Sequence, residues 1–238
     1  MISITFDTDH MDEENMATFM NYAPIPGPAT FFCVHPYRFP KLQNYVHHEY
    51  SIHPILDHDL NWIQITDSLR SQVNPDTIGV RAHSCTFSQN YAIKLANSGF
   101  RYTSSTTRFF ESGIKPFLLP WGIWEMPVYY QDNADMTFTH LLPSHIQFDR
   151  KWIHNALSHP GLFVFLFHPA HILMNTFDMS TARQWIGSGR PPLTPIATEG
   201  GAAVRGAGTF YMELVRAMQA AGQTSTPLKN CIPQNMEF

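Results

Sequence analysis

Short runs rich in β-branched and aromatic residues alternate with stretches of helical periodicity along most of the chain, and few architectures accommodate that order. Ile2 to Phe6 reads as a buried strand that stops abruptly at Asp7-Thr8-Asp9-His10. Glu13 to Tyr22 follows with Met16, Phe19 and Met20 at helical spacing, and Ala29 to Val34 repeats the strand pattern after the break at Pro26 to Pro28. Further strands are expected at Tyr50 to Ile52, Thr77 to Arg81, Arg101 to Ser104, Glu125 to Tyr129 and Leu162 to Phe167. Helices are expected at Leu60 to Gln72, Asn90 to Ser98, Phe148 to Ser158 and Thr209 to Ala221. Such alternation predicts a parallel sheet or an α/β barrel, in which active-site residues collect at the C-terminal ends of the strands. Ser180 to Gly208, interrupted by Pro191-Pro192, Pro195 and Gly200-Gly201, is expected to be a long loop or lid.

A chain of 238 residues is expected to form one domain over 1–238 with a sizeable core. Its net charge of −4 and its scattered 15 Lys and Arg offer no basic field, so nucleic acid is not an expected partner. No stretch approaches the ~20 apolar residues of a membrane span. The start at Ile2-Ser3-Ile4 lacks the charged and apolar regions of a signal peptide, which leads to the expectation of a cytoplasmic protein. Cys33, Cys85 and Cys231 show no Cys-x-x-Cys spacing and read as reduced, buried thiols. Oligomeric state is left open.

Two groups of residues carry chemistry. Asp7 and Asp9 are two apart, so they share a face if the strand continues, and two carboxylates held together call for a cation or an arginine. Taken alone, the plainer reading is an Asx turn capping the next helix. The second group is the run His48 to Asp59, rich in ligand-type residues; His53 and Asp57 are four apart, with His58 next along. Its plainer reading is a His-rich surface loop.

The order of these motifs resembles the polysaccharide deacetylase family, also called the NodB-homology or carbohydrate esterase 4 family. Thr5-Phe6-Asp7-Thr8-Asp9 is similar to its first motif, Thr-Phe-Asp-Asp, in a variant with one residue between the aspartates. Ala29-Thr30-Phe31-Phe32 resembles its second strand, and His48-Glu49-x-x-x-His53-x-x-x-Asp57 its His-Glu-x-Gly-x-His-x-x-x-His. Arg81-Ala82-His83 stands where the family has Arg-x-Pro, and Gly99-Phe100-Arg101-Tyr102-Thr103-Ser104-Ser105 resembles Gly-Phe-x-Tyr-Asp-Ser-Ser. Trp124-Glu125-Met126-Pro127-Val128 is similar to a Glu-Ile-Pro-Val strand, and Phe165-Leu166-Phe167-His168-Pro169 to the last catalytic motif. The resemblance implies a distorted NodB-type (β/α) barrel of about seven strands, shorter than a full eight-fold barrel.

It further implies one divalent metal ion, usually zinc, with cobalt, manganese or nickel as alternatives, held by Asp9, His53 and a third ligand. Asp57 stands in the register of the family's second histidine, with His58 as the alternative. Asp7 would be the general base, Arg81 its partner, and His168 the acid that protonates the leaving amine. Glu125, Trp124 and His83 are the residues expected to touch substrate, Glu125 with the further option of orienting His168. His10, His35 and His171 border the motifs and could line the pocket, with satisfied structural histidines as the plainer reading. Trp121, Trp124, Tyr129 and Tyr130 suit stacking on a sugar and a barrel core equally. The implied activity is removal of an N-acyl or O-acyl group from a carbohydrate or glycan precursor, as in surface-polysaccharide or lipopolysaccharide biosynthesis. A cyclic amidase on the same scaffold and a catalytically silent carbohydrate-binding barrel are the alternatives.

Overall fold

The computed structural model describes residues 1–37, 47–56, 61–137, 148–196 and 205–234. Nine strands among them form one sheet: β1 Ile2–Asp7, β2 Thr30–Cys33, β3 Glu49–Ile52, β4 Gly79–Val80, β5 Tyr102–Thr103, β6 Phe117–Leu118, β7 Trp124–Glu125, β8 Val128–Gln131 and β9 Phe163–Phe167. Their order is β6-β7-β5-β4-β3-β2-β1-β9-β8, and every pairing is parallel except the short edge pair β6 and β7. Nine replaces the expected count of about seven, because a two-residue edge strand is added and the expected Glu125 to Tyr129 strand is two strands.

That division explains the shape. β8 closes one end of the sheet order and β7 stands next to the last strand at the other, yet only Met126 and Pro127 separate them in the chain. The sheet must therefore curl until its two ends nearly meet. Proline, with no N–H to donate, fits the crossing point. The seam is stitched by the residues that follow β5: Val128 N donates to Thr106 O, Arg108 N donates to Val128 O, and Thr107 bridges Val128 in parallel. The result is a distorted, incompletely closed barrel.

Helices cover the outside. The described helices are α1 Glu13–Tyr22, α2 Trp62–Val73, α3 Gln89–Asn97, α4 Asp132–Thr137, α5 Arg150–Ser158, α6 Pro169–Leu173, α7 Met179–Gly187 and α8 Ala207–Ala220. Ile2, Ile4 and Phe6 face outward into a core shared with Phe19 of α1 and Phe210, Tyr211 and Leu214 of α8. Tyr129 and Tyr130 also belong to this core, with Tyr130 stacked on Phe210 at 4.6 Å, so both serve packing. The expected loop from Ser180 to Gly208 contains most of α7, which Asp178 caps and Trp185 anchors. The Pro and Gly residues that suggested a loop begin only after Gly187.

Inside the barrel the alternation of β1 places Thr5 and Asp7, and polar side chains form layers there. Near the N-terminal ends of the strands, Glu49 accepts from Thr30 Oγ1 at 2.9 Å and from Tyr102 Oη at 2.8 Å. Tyr102 fills the space beside Gly79, where an added Cβ would lie 2.1 Å from its ring. Above this lies Arg81, fully buried and stacked on Phe32 with 4.1 Å to the ring centroid. No described helix is long and apolar enough to cross a membrane.

Candidate functional site

The polar side chains implied by the sequence converge where β1, β3, β4, β8 and β9 end. Thr8 N donates to Phe32 O, and Thr8 Oγ1 accepts from Val34 N, which turns the middle residue of Asp7-Thr8-Asp9 toward β2. Both aspartates are thereby left facing the barrel mouth, and both are buried. Arg81 Nη1 donates to Asp7 Oδ1 at 2.8 Å and to Thr5 Oγ1 at 2.9 Å; Nε and Nη2 donate to Ser104 O and Ser104 Oγ. A buried guanidinium needs such complete partnering, and here it also fixes the orientation of one carboxylate.

Three imidazoles surround the other carboxylate. His53 Nε2 is 3.1 Å from Asp9 Oδ2, His83 Nδ1 is 2.8 Å from Asp9 Oδ1, and His168 Nε2 is 3.4 Å from Asp9 Oδ2. His53 Nδ1 lies 2.7 Å from Arg81 O, and since a carbonyl only accepts, Nδ1 carries a proton. In neutral His53 the lone pair of Nε2 then faces a carboxylate, an arrangement that is stable only with a proton or a cation between them. Burial alone would raise the Asp9 carboxyl, but His53, His168 and His83 outweigh it and hold it well below the usual range. Burial likewise opposes the charged form of His53, and Asp7 and Asp9 overcome this and raise it.

Asp9, His53 and His83 each offer one ligand atom, all within 4.8 Å of one another. One carboxylate oxygen and two imidazole nitrogens, with space left beside them, form a donor set suited to a catalytic divalent ion. His83 begins a single 3-10 turn, His83–Cys85, in which Ser84 (φ 57°) and Cys85 (φ 52°) occupy the left-handed region that non-glycine residues seldom adopt. This strained turn directs His83 to Asp9. The expected third ligand, Asp57, and its alternative His58 lie outside the described residues.

His168 follows β9 and is held by a residue that sequence reasoning missed. Asp132 Oδ1 is 2.7 Å from His168 Nδ1, while Asp132 Oδ2 accepts from His168 N at 2.8 Å and lies 3.1 Å from His171 Nδ1. Burial opposes charge on His168, yet Asp132 and Asp9 raise it well above its ordinary value; the same two histidines hold Asp132 low against burial. Asp132 directly follows β8 as Asp7 closes β1, a polar stop after an apolar strand, and that was the available signal.

Other expected site residues have different surroundings. Glu125 is fully buried; its Oε1 accepts from Ser105 N at 2.9 Å and Thr106 N at 2.8 Å, so it secures the barrel seam, and Asp132 is the residue that orients His168. Burial pushes the Glu125 carboxyl up to about 7. Trp124 packs with Leu228 and Ile232 and lines a separate hollow with Arg101 and Lys229. Lys229 N donates to Glu49 at the start of β3, which places that hollow at the opposite end of the barrel. His35 is structural, within 3.0 Å of Met11 O and packed on Tyr37. His171 and His10 instead line a hollow of about 240 Å³ that also contains Asp9, His83, Asn133 and His168.

Solved structures are similar to this chain over most of its length. A Bordetella bronchiseptica protein assigned to O-antigen biosynthesis as a polysaccharide deacetylase superposes with a TM-score of 0.70 at 21% identity, covering 90% of this chain and 89% of that one. The Bacillus cereus polysaccharide deacetylase Bc1974 gives a TM-score of 0.47 at 10% identity, covering 98% and 94% of the two chains. The Bc1960 peptidoglycan N-acetylglucosamine deacetylase gives 0.47 at 14% identity, covering 97% and 86%. No curated protein matches the sequence. Residues 4–185, which run from β1 through the Asp132 and His168 pair to α7, match the family described as WbmS-like polysaccharide deacetylase, and the chain belongs to that family.

Proposed function

We propose that the protein is a metal-dependent hydrolase that removes an acetyl-type acyl group from the nitrogen of an amino sugar in a surface-polysaccharide precursor. The observation that carries this reading is the Asp9 carboxylate enclosed by His53, His83 and His168, beside an Asp7 separately paired with Arg81. Family membership and the O-antigen assignment of the Bordetella structure support the substrate class. Asp9, His53 and His83 would hold the ion, and two nitrogens with one carboxylate oxygen favour zinc.

When bound, a divalent ion supplies positive charge for the developing oxyanion and raises the acidity of water. Asp7, oriented by Arg81, accepts a proton from the attacking water. His168, kept protonated by Asp132, gives its proton to the departing nitrogen as the carbon–nitrogen bond breaks. The products are the free amine and the carboxylate of the acyl group. Asp132 does for His168 what Arg81 does for Asp7: each orients one proton-transfer group by a hydrogen bond. Acetate release from N-acetylated amino sugars tests the reading: zinc-loaded Asp7→Asn should retain its metal and lose turnover, and retained turnover would overturn the assignment of the base.

A further inference from the structure

At the end of the barrel away from Asp9 lies a hollow of about 340 Å³, larger than the one of about 240 Å³ at the proposed site. Its lining includes Arg101, Trp124 and Lys229, with Gly122, Ile232 and Gln234. Arg101 O accepts from Trp124 N at 2.9 Å where β5 and β7 begin. Lys229 lies in the 3-10 turn Leu228–Cys231, which is tied to the starts of β2 and β3 by Leu228 N on Thr30 Oγ1 and Lys229 N on Glu49 Oε2.

The chain carries a net charge of −4, yet both charged residues lining this hollow are cations. Arg101 and Lys229 are exposed, and neither side chain has an ion pair or hydrogen bond among the described residues. Glu49 meets this wall through Lys229 N at 3.0 Å, but its carboxyl is buried and also holds Thr30 and Tyr102. Trp124 adds a third donor. It is only 7% exposed, with its ring packed against Leu228 and Ile232. Its indole N–H nevertheless bonds to no described residue and, unlike that of Trp152, is not shut off from solvent. An unpaired donor on a buried ring, beside two unpaired cations, suits an oxyanion.

Charge and size narrow the ligand further. Two cations balance a dianion, which a phosphate monoester approaches at pH 7 and a carboxylate does not. The hollow of about 340 Å³ falls within the ~300–1,000 Å³ of small-molecule sites, more room than a bare phosphate fills. A nucleobase would need an aromatic face to stack on, and Trp124 has its ring packed away. We propose that this hollow binds a sugar phosphate, apart from the ion-binding site. Arg101 and Lys229 hold the phosphate, the Trp124 N–H donates to one of its oxygens, and the sugar fills the remaining space. The assignment does not depend on the deacetylase reading.

The probe is glucose 6-phosphate, which has no acyl group for the other site to remove. Calorimetry and ligand-observed NMR on the full chain should show one equivalent bound, more tightly than inorganic phosphate, glucose or uridine monophosphate. Arg101→Gln and Lys229→Gln, both at exposed positions, should each weaken binding by about tenfold or more. Trp124→Phe, which keeps the packing and removes the N–H, should weaken it by about threefold or more. His83→Ala should bind the probe as the wild type does. No binding by either method at millimolar probe, or binding that survives both cation variants, overturns the site. Loss of binding in His83→Ala with retention in Arg101→Gln places the sugar phosphate at the ion-binding site and overturns the proposal. Inorganic phosphate or uridine monophosphate binding as tightly as the probe overturns the choice of a sugar phosphate.

Discussion

Arg81 and Asp7, 74 positions apart in the chain, meet as a buried ion pair with Nη1 2.8 Å from Oδ1. Removing one partner leaves an uncompensated charge in the barrel, at a cost of about 3–5 kcal/mol. Arg81→Leu should lower the unfolding free energy by that amount. Arg81→Lys should lose less, because it keeps the charge but not the fork that also serves Thr5 and Ser104. Urea denaturation reads both; a loss below about 1 kcal/mol for Arg81→Leu would place the pair among weak surface bridges.

Asp132 touches His168 and His171 but none of the three groups proposed to hold the ion. Asp132→Asn should therefore keep the metal and the fold while slowing turnover by about 10²–10⁴-fold, the usual contribution of a positioned acid. His168→Ala should lose a comparable factor, and the double variant little more, since the two act as a unit. Additive losses in the double variant would separate their roles.

Glu125 gives stability a pH dependence. Its folded pKa, pushed up to about 7 by burial, lies above the unfolded value of 4.5, so folding favours the protonated form. Its contribution is fully present below the unfolded value and is lost as pH rises through about 7. The loss is on the order of 3 kcal/mol. Unfolding free energies measured from pH 4.5 to 8 should fall in the native protein, and Glu125→Gln should flatten that decline whatever it does to the absolute stability. An unchanged slope in the variant would show that Glu125 is not the group responsible.

Strands with long apolar runs were legible from sequence: β1 and β9 lie where Ile2 to Phe6 and Leu162 to Phe167 indicated. The segment around Pro127 was not, because its two halves lie near opposite ends of a curled sheet, a relationship no local pattern encodes. α7 was concealed by the prolines and glycines just beyond it. Within the site, Asp9, His53, Arg81 and His168 are brought together as their motif order implied. His83 and Asp132 were harder: one stands where the resembling family has proline, and the other follows β8 without a recognisable motif. Their significance comes from contact with Asp9 and His168, residues 74 and 36 positions away.

The third ligand decides the account of the site, and metal content measures it directly. Wild-type protein and the His53→Ala, His83→Ala and Asp57→Asn variants would be loaded with zinc, desalted and analysed for bound metal alongside a check of folding by circular dichroism. The expected result is about one equivalent in the wild type and in Asp57→Asn, with the ion lost from folded His53→Ala and His83→Ala. A folded His83→Ala that keeps its zinc while Asp57→Asn loses it would contradict the proposed Asp9, His53 and His83 centre.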